Sequence, residues 1–202
     1  NQPAPAAPDA WWTAEQGNRP PGMVSLPASS GTQVAMASIT LAPVDLDLHA
    51  TTLARWFARP HITAWWGDPA HALEHARECA PESHALIVAD GVPVGYLCWH
   101  APPRDEFEAA GLSDLPRGLV DIDILIGEVP LLGQGIGSRA LARLLTRLEG
   151  EPGITMAGLG TSITNHAALR CFDKAGFRPC RDFRDPVWGE CRYLVASVKE
   201  AT

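Results

Sequence analysis

The chain has 202 residues, 46% of them hydrophobic and 19% charged, which supplies one apolar core and excludes disorder throughout. Sixteen Lys and Arg against 23 Asp and Glu give a net charge of −7, the wrong sign for general phosphate-backbone binding and a suitable one for a cationic partner. Five cysteines (Cys79, Cys98, Cys171, Cys180, Cys191), odd in number and without a CxxC pair, argue against a disulfide framework or a structural zinc site and for a reducing compartment. No apolar run approaches the roughly 18 residues of a membrane span, and Asn1–Pro5 lacks the basic and apolar regions of a secretory leader. The expectation is a cytoplasmic chain, monomer or homodimer, binding neither nucleic acid nor membrane.

Residues 1–33 hold six of the 18 prolines among Gly, Ala and Ser, a composition poor for helix or strand and read as a tail in which Trp11-Trp12 is the one docking feature. The folded domain is expected over 34–202. Ala35–Leu41 reads as a strand, and Leu46, Leu48, Leu53, Trp56 and Phe57 as a helix ending before Pro60. A short segment, His61–Gly67, carries Trp65-Trp66, and Pro69–Cys79 reads as a second helix. Ala85–Ala89 and Val94–Trp99 are strands around the hairpin dipeptide Asp90-Gly91. After an irregular acidic stretch, 101–118, Leu119–Gly127 is apolar and β-branched, a central strand. A helix over Arg139–Leu148, a strand over Ile154–Leu159, a helix over Asn165–Ala175 and strands over Phe177–Phe183 and Arg192–Val198 complete a mixed α/β order without repeats.

Leu132-Gly133-Gln134-Gly135-Ile136-Gly137, followed by Ser138, lies between a strand and a helix. Three glycines in five positions remove the Cβ atoms that would keep an anion from the backbone, and the amides and dipole of the helix start favour negative charge. This is a phosphate cradle in principle, and a plain strand-to-helix turn is the alternative. Gly137-Ser138-Arg139 does not supply the Gly-Lys-Ser/Thr of a P-loop, and Gly133-x-Gly135-x-Gly137 lacks dinucleotide-fingerprint spacing.

With the glycine loop, Asn165-His166-Ala167-Ala168 and Phe172-Asp173-Lys174-Ala175-Gly176-Phe177 follow in order. This ordered set resembles the GCN5-related N-acetyltransferases, whose loop amides hold the pyrophosphate of acetyl-CoA. Within that superfamily the chain is most similar, over about residues 55–198, to aminoglycoside 6'-N-acetyltransferases. The likeness rests on the glycine loop, His61–Gly67, Gly91–Tyr96 and Ile122–Glu128. The resemblance implies a mixed sheet flanked by helices, with a V-shaped cleft for acetyl-CoA as co-substrate and no metal. It also implies contacts to acetyl-CoA from Leu125, Ile126, Gly127, Leu132, Gly133, Gln134, Gly135, Ile136, Gly137, Ser138, Asn165, Phe172 and Lys174. Backbone groups of Leu125–Gly127 are expected to pair with the pantetheine arm. A sister group, the hydroxylysine acyltransferases of siderophore synthesis, is similar in plan but tends to carry His at the place of Asp123.

Acetyl transfer needs a neutral amine, so a site must bind the ammonium, take its proton and stabilise the developing oxyanion. The resemblance assigns the orienting and proton-accepting carboxylate to Asp123. Strand alternation puts Asp121 and Asp123 on one face and Ile122 and Ile124 on the other. Two acids on one face of an apolar strand are costly unless that face is a wet cleft. Between Asp105 and Glu128 stand seven carboxylates (Asp105, Glu106, Glu108, Asp114, Asp121, Asp123, Glu128) against Arg117 alone, an acidic wall for a polycation or simply a solvated face. Trp65 and Trp66 are read as core or as a wall for a sugar ring, and His100 and His166 as secondary bases.

Three positions depart from the family pattern. Phe172 stands where many relatives have Tyr, Leu132 replaces Arg or Gln, and Gly160-Thr161 occupies the place of an Asp-Pro. Asp182, Asp185 or Glu190 could replace that missing acid. Three readings follow: an aminoglycoside acetyltransferase, a siderophore-pathway or other small-amine acyltransferase, and a non-catalytic CoA-binding module.

Overall fold

The computed structural model describes residues 38–198; the tail, Trp11-Trp12 and the start of the first expected strand lie outside them. Fourteen elements run in the order β1 (Ile39–Ala42), α1 (Leu46–Phe57), α2 (Pro60–Trp66), α3 (Pro69–Glu78), β2 (His84–Ala89), β3 (Val92–His100), α4 (Arg104–Ala109), β4 (Leu119–Ile126), a 3-10 turn (Val129–Leu131), α5 (Ile136–Leu148), β5 (Met156–Ser162), α6 (His166–Lys174), β6 (Arg178–Asp185) and β7 (Gly189–Ser197). The seven strands form one sheet in the order β1-β2-β3-β4-β5-β7-β6. Among its pairings only β4–β5 is parallel.

Local chemistry sets the ends of these elements. Asp45 caps α1 by accepting from the amides of Asp47 and Leu48. Asp68 caps α3, which then starts on Pro69, and accepts from Ala70 at 2.8 Å and His71 at 3.1 Å. Asp90 and Gly91 turn β2 into β3 with φ of 48° and 82°, the left-handed pair that matches strand twist.

Strand alternation builds two cores on opposite faces of the sheet. Ile87, Leu97, Val120 and Ile122 meet the apolar stripe of α5 (Ile136, Ala140, Leu141, Leu144, Leu148). Leu86, Tyr96, Cys98 and Leu125 meet Leu53, Trp56, Phe57, Ile62, Ala72 and Ala76 from α1, α2 and α3. The expected parity of β4 therefore holds: Ile122 packs under α5, and Asp121, Asp123 and Leu125 share the face toward α1–α3.

Two stretches that the sequence reading did not assign as helices contain them, the short segment after Pro60 and the acidic stretch expected as irregular. Residues 60–66 form α2, because Pro60 starts a helix at no hydrogen-bond cost. The acidic 101–118 stretch contains α4, whose Phe107 meets Tyr193 edge-on at 5.5 Å in a third cluster with Leu112 and Leu119. That long-range contact compensates for a charge-rich local sequence.

The site is positioned by a failure of pairing. β4 and β5 are joined at Leu119↔Met156, Val120↔Ala157 and Asp121↔Gly158, yet β4 runs on to Ile126 and β5 to Ser162. Beyond Asp121 the two strands part, opening the V-shaped cleft.

Candidate active site

One wall of the opening is backbone. Gly133 and Gly135 have φ of 75° and 74°, left-handed values that suit glycine, and Gly135 is the N-cap of α5 without a side-chain capping bond. The first amides of α5 thus have no acceptor within the helix. Nothing lies within 4 Å of a Cβ placed at Gly133, so the space over the loop is open. The loop is braced from below. Gln134 Nε2 donates to the Pro130 carbonyl at 2.8 Å, while Ser138 Oγ and Arg139 Nε donate to the Gly135 carbonyl at 3.0 and 3.2 Å. Gly137 has a packing reason: a Cβ there would stand 2.9 Å from Cys171 Sγ on α6. Ile136 is buried in the core, and Leu132 is exposed.

The edge of β4 carries further backbone groups. The Gly127 amide donates to the Val94 carbonyl at 2.8 Å, toward β3. In an antiparallel ladder this fixes the alternation, so Leu125 also bonds toward β3 while Ile124 and Ile126 turn their N–H and C=O toward the gap. Of the expected run Leu125–Gly127, the groups aimed at the cleft are therefore those of Ile126, with Ile124 in place of Leu125. His61 Nε2 already donates to the Ile126 carbonyl at 3.0 Å. Gly127 is glycine because a Cβ would enter the ring of buried Trp56. The adjoining Glu128 accepts from Trp56 Nε1 at 2.9 Å and from Arg55 and Arg59 at 3.1 Å, pinning the end of β4 to α1. The Trp56 hydrogen bond, with help from the two guanidinium groups, holds the Glu128 carboxyl below its ordinary range.

The facing wall is made of side chains. Asp123 lies opposite Cys98 in the β3–β4 ladder, and its side chain retains 48% of its accessibility at the mouth of the cleft. Its Oδ2 is 3.9 Å from Cys98 Sγ and 4.0 Å from His75 Nε2 on α3. His75 stacks edge-on against His100 at 5.4 Å. Desolvation by the surrounding protein raises the Asp123 pKa above the ordinary 3.8, against the opposing pull of His100, His75 and the Cys98 thiol. Cys79 lies beneath: Tyr96 Oη donates to its sulfur at 3.8 Å, and the hydrogen bond with Cys98 lowers the Cys79 pKa while raising that of Cys98.

The other expected residues fall in different places. Asp121 is half-buried and accepts from Tyr193 Oη at 3.0 Å, over Gly158, where a Cβ would strike the tyrosine. Trp65 is 40% exposed, whereas Trp66 packs on Phe57 at 5.4 Å. Asp105 and Glu106 stand on α4, with Asp105 exposed. Asp185 caps its own turn, accepting from Val187 and Trp188 at 2.7 and 2.8 Å. Asn165 caps α6 by accepting from Ala168 at 3.2 Å, and Lys174 is exposed in its last turn. Phe172, expected to contact acetyl-CoA, is buried in the α5–α6 core.

Besides Glu128, arginines engage one further member of the acidic wall, Asp114, and two of the acids offered in place of the missing one, Asp182 and Glu190. Asp114 is gripped by both Nη atoms of Arg181 at 2.9 Å, Asp182 binds Arg192 at 2.6 Å, and Glu190 meets Arg184 at 3.5 Å. A concavity of about 380 Å³, lined by Ser38, Ile39, Arg139, Ala142, Arg143 and Thr146, shares only Arg139 with the loop bracing. Sequence reasoning missed His61, His75, Cys79 and Cys98. The i, i+4 spacing of His75 and Cys79 was a visible signal, but nothing local placed Cys98 beneath them.

The chain with this opened β4–β5 pair and glycine-started helix is matched over residues 45–184 by the family model described as an acetyltransferase (GNAT) domain. The chain belongs to this acetyltransferase family. It is 30% identical to the aminoglycoside N(6')-acetyltransferase type 1 of Klebsiella pneumoniae, with 62% of this chain and 67% of that protein aligned. Among solved structures it is similar to aminoglycoside acetyltransferase AAC(6')-Ib in complex with coenzyme A (TM-score 0.64, 28% identity, 79% of this chain and 95% of that one). The same enzyme with coenzyme A and kanamycin matches at a TM-score of 0.63, with identical identity and coverage. Membership of this family makes the chain an acyltransferase, and the fold class, a seven-stranded mixed sheet flanked by helices, is that of its relatives. Among the described residues no helix is long and apolar enough to cross a membrane.

Proposed function

We propose that the chain transfers the acetyl group of acetyl-CoA to an amine of an aminoglycoside, the 6'-amine by analogy with its relatives, with Asp123 as the group that pairs with the ammonium and takes its proton. The observation that carries this reading is the position of Asp123: the carboxylate beside the point where β4 and β5 part, open on one side and desolvated on the others.

A carboxylate with a raised pKa is a stronger base than an ordinary one, and a neighbouring cation favours its ionised form. It draws in the ammonium and accepts its proton; the freed lone pair then attacks the thioester carbon, the C–S bond breaks with CoA leaving as thiolate, and the second nitrogen proton passes to water or to that thiolate to leave the neutral amide. The amides of Ile124 and Ile126 stand on the edge where an oxyanion or amide oxygen is met, and the start of α5 provides the anion cradle for the pyrophosphate. Phe172 has no hydroxyl, so the departing sulfur takes its proton from water or leaves unprotonated, which a thiol of ordinary acidity allows. In a cell this acetylation would remove a positive charge the drug needs and confer resistance.

A second reading has its own support. Asp114, Asp182, Glu190 and Glu128 are engaged by arginines and Asp185 by its own turn, which leaves these five acids less available to a polycationic sugar. That favours a small amine with one or two ammonium groups, of which a hydroxylysine-type substrate is an example. The discriminating experiment is thiol release from acetyl-CoA in parallel with kanamycin, tobramycin and N6-hydroxylysine, with mass spectrometry of the acetylated product. Turnover confined to the aminoglycosides supports the first reading; turnover confined to the lysine derivative overturns it.

A further inference from the structure

We infer that His75, Cys79 and Cys98 form a binding site for a soft divalent cation of the zinc type, built into the floor of the cleft beside Asp123. Cys98 and Cys79 also pack in the core beneath α1–α3, but no step proposed for acetyl transfer uses these three side chains together.

The argument is geometric. His75 and Cys79 lie four residues apart, one at the end of α3 and one at its C-cap, so they face the same way. They look onto β3, where the buried Cys98 points out of the sheet. One ligand atom from each of the three lies within 4.8 Å of the others, and His75 Nε2 is 3.8 Å from Cys98 Sγ. A tetrahedral zinc site with bonds of roughly 2.0–2.3 Å has edges of about 3.3–3.8 Å, so only a small inward movement is needed. His75 Nε2 also belongs to a second set with His100 and Asp123. The Asp123 carboxylate, 3.9 Å from the Cys98 sulfur, stands beside the three-ligand set without belonging to it.

The donor set also selects the ion. Two sulfurs and an imidazole suit zinc over magnesium or calcium, which take oxygen ligands. An entry route exists, because His75 and Asp123 are each more than 40% exposed at the cleft. Metal binding releases the protons of the two thiols to solvent, and the dication neutralises the thiolates so formed beside the carboxylate. A bound ion draws Asp123 toward itself and occupies the place of the substrate ammonium. The consequence is a metal-inhibited acetyltransferase in which cation and amine compete; this last part rests on the role proposed for Asp123, whereas the binding itself does not.

The test uses the full chain, kept reduced and stripped with a chelator. Zn²⁺ is titrated in competition with a chromogenic chelator, and Co²⁺ is added separately to read a sulfur-to-metal charge-transfer band. One equivalent of Zn²⁺ with the cobalt band, and a loss of roughly tenfold or more in Zn²⁺ affinity in both Cys79→Ser and His75→Ala, is expected. Cys79→Ser spares the buried Cys98, and its melting temperature checks that it folds. The inference is overturned by sub-stoichiometric binding, by a cobalt complex without the band, or by Zn²⁺ affinity unchanged in both variants. Zn²⁺ inhibition competitive with the amine and relieved in Cys79→Ser extends the inference to regulation. Tight binding without inhibition overturns the competition with the amine and leaves the site in place.

Discussion

The two walls of the cleft work by different means. On the α5 side the groups are main-chain amides, fixed by the left-handed glycines Gly133 and Gly135 and by the helix they start. On the β3–β4 side they are side chains from three separate elements, His75 from α3, Cys98 from β3 and Asp123 from β4. A backbone wall tolerates side-chain changes and fails when its dihedral angles fail. A side-chain wall tolerates backbone variation and fails when one functional group is exchanged. Acetyl-CoA presents much the same phosphates to every family member, which suits the first; the acceptor amine varies, which suits the second.

The largest effect that would sharpen this contrast is at Asp123. Replacing it by Asn should lower kcat by about 10²–10⁴-fold while leaving acetyl-CoA affinity by calorimetry unchanged; loss of both together would merge the two walls into one. The same variant should melt no lower than the parent, since it removes a carboxylate whose ionised form the fold disfavours.

Gly135→Val should do the reverse, weakening acetyl-CoA binding by roughly tenfold or more through a β-branched residue at a φ of 74°. Its kcat at saturating acetyl-CoA should fall far less than that of Asp123→Asn. Equal losses would show that the loop also aligns the amine.

Acid sensitivity belongs to the side-chain wall. Asp123 must be ionised to accept a proton, and its pKa is raised, so activity is lost as pH falls through a value above the ordinary aspartate range. His100 and His75 face the same carboxylate and oppose the rise electrostatically, and the Cys98 thiol opposes it as a hydrogen-bond donor. A pH profile of kcat/KM in chelator-treated buffer, with the acid limb absent from the residual activity of Asp123→Asn, checks this assignment.

Behind both walls lies the joint between β4 and α1. Gly127→Ala should cost about 1–3 kcal/mol through overpacking against Trp56, and Glu128→Ala about 1–2 kcal/mol through three lost charge-assisted hydrogen bonds on a partly exposed group. Chemical denaturation measures both. At the small end, Gln134→Ala and Ser138→Ala should change acetyl-CoA affinity by only about twofold, because these side chains brace the loop while its amides face the cleft. A tenfold effect in either would contradict a wall made of backbone.

What the sequence determined by itself was whatever depends on short separations. The strand–glycine–helix order, the hairpin at Asp90-Gly91, the parity of Asp121 and Asp123 and the helix at 166–174 follow from turn chemistry and periodicity over a few residues. They were legible for that reason. The acidic stretch misled because charge composition does not reveal partners: Arg181 lies 67 residues from Asp114, and Arg55 lies 73 from Glu128. Gly127 had the look of a cofactor contact, but what requires a glycine there is an indole from α1. Only the tertiary structure brought His75 and Cys79 over Cys98 and Asp123, since such a cluster is set by how α3 crosses the sheet, and the packing of remote apolar faces decides that crossing.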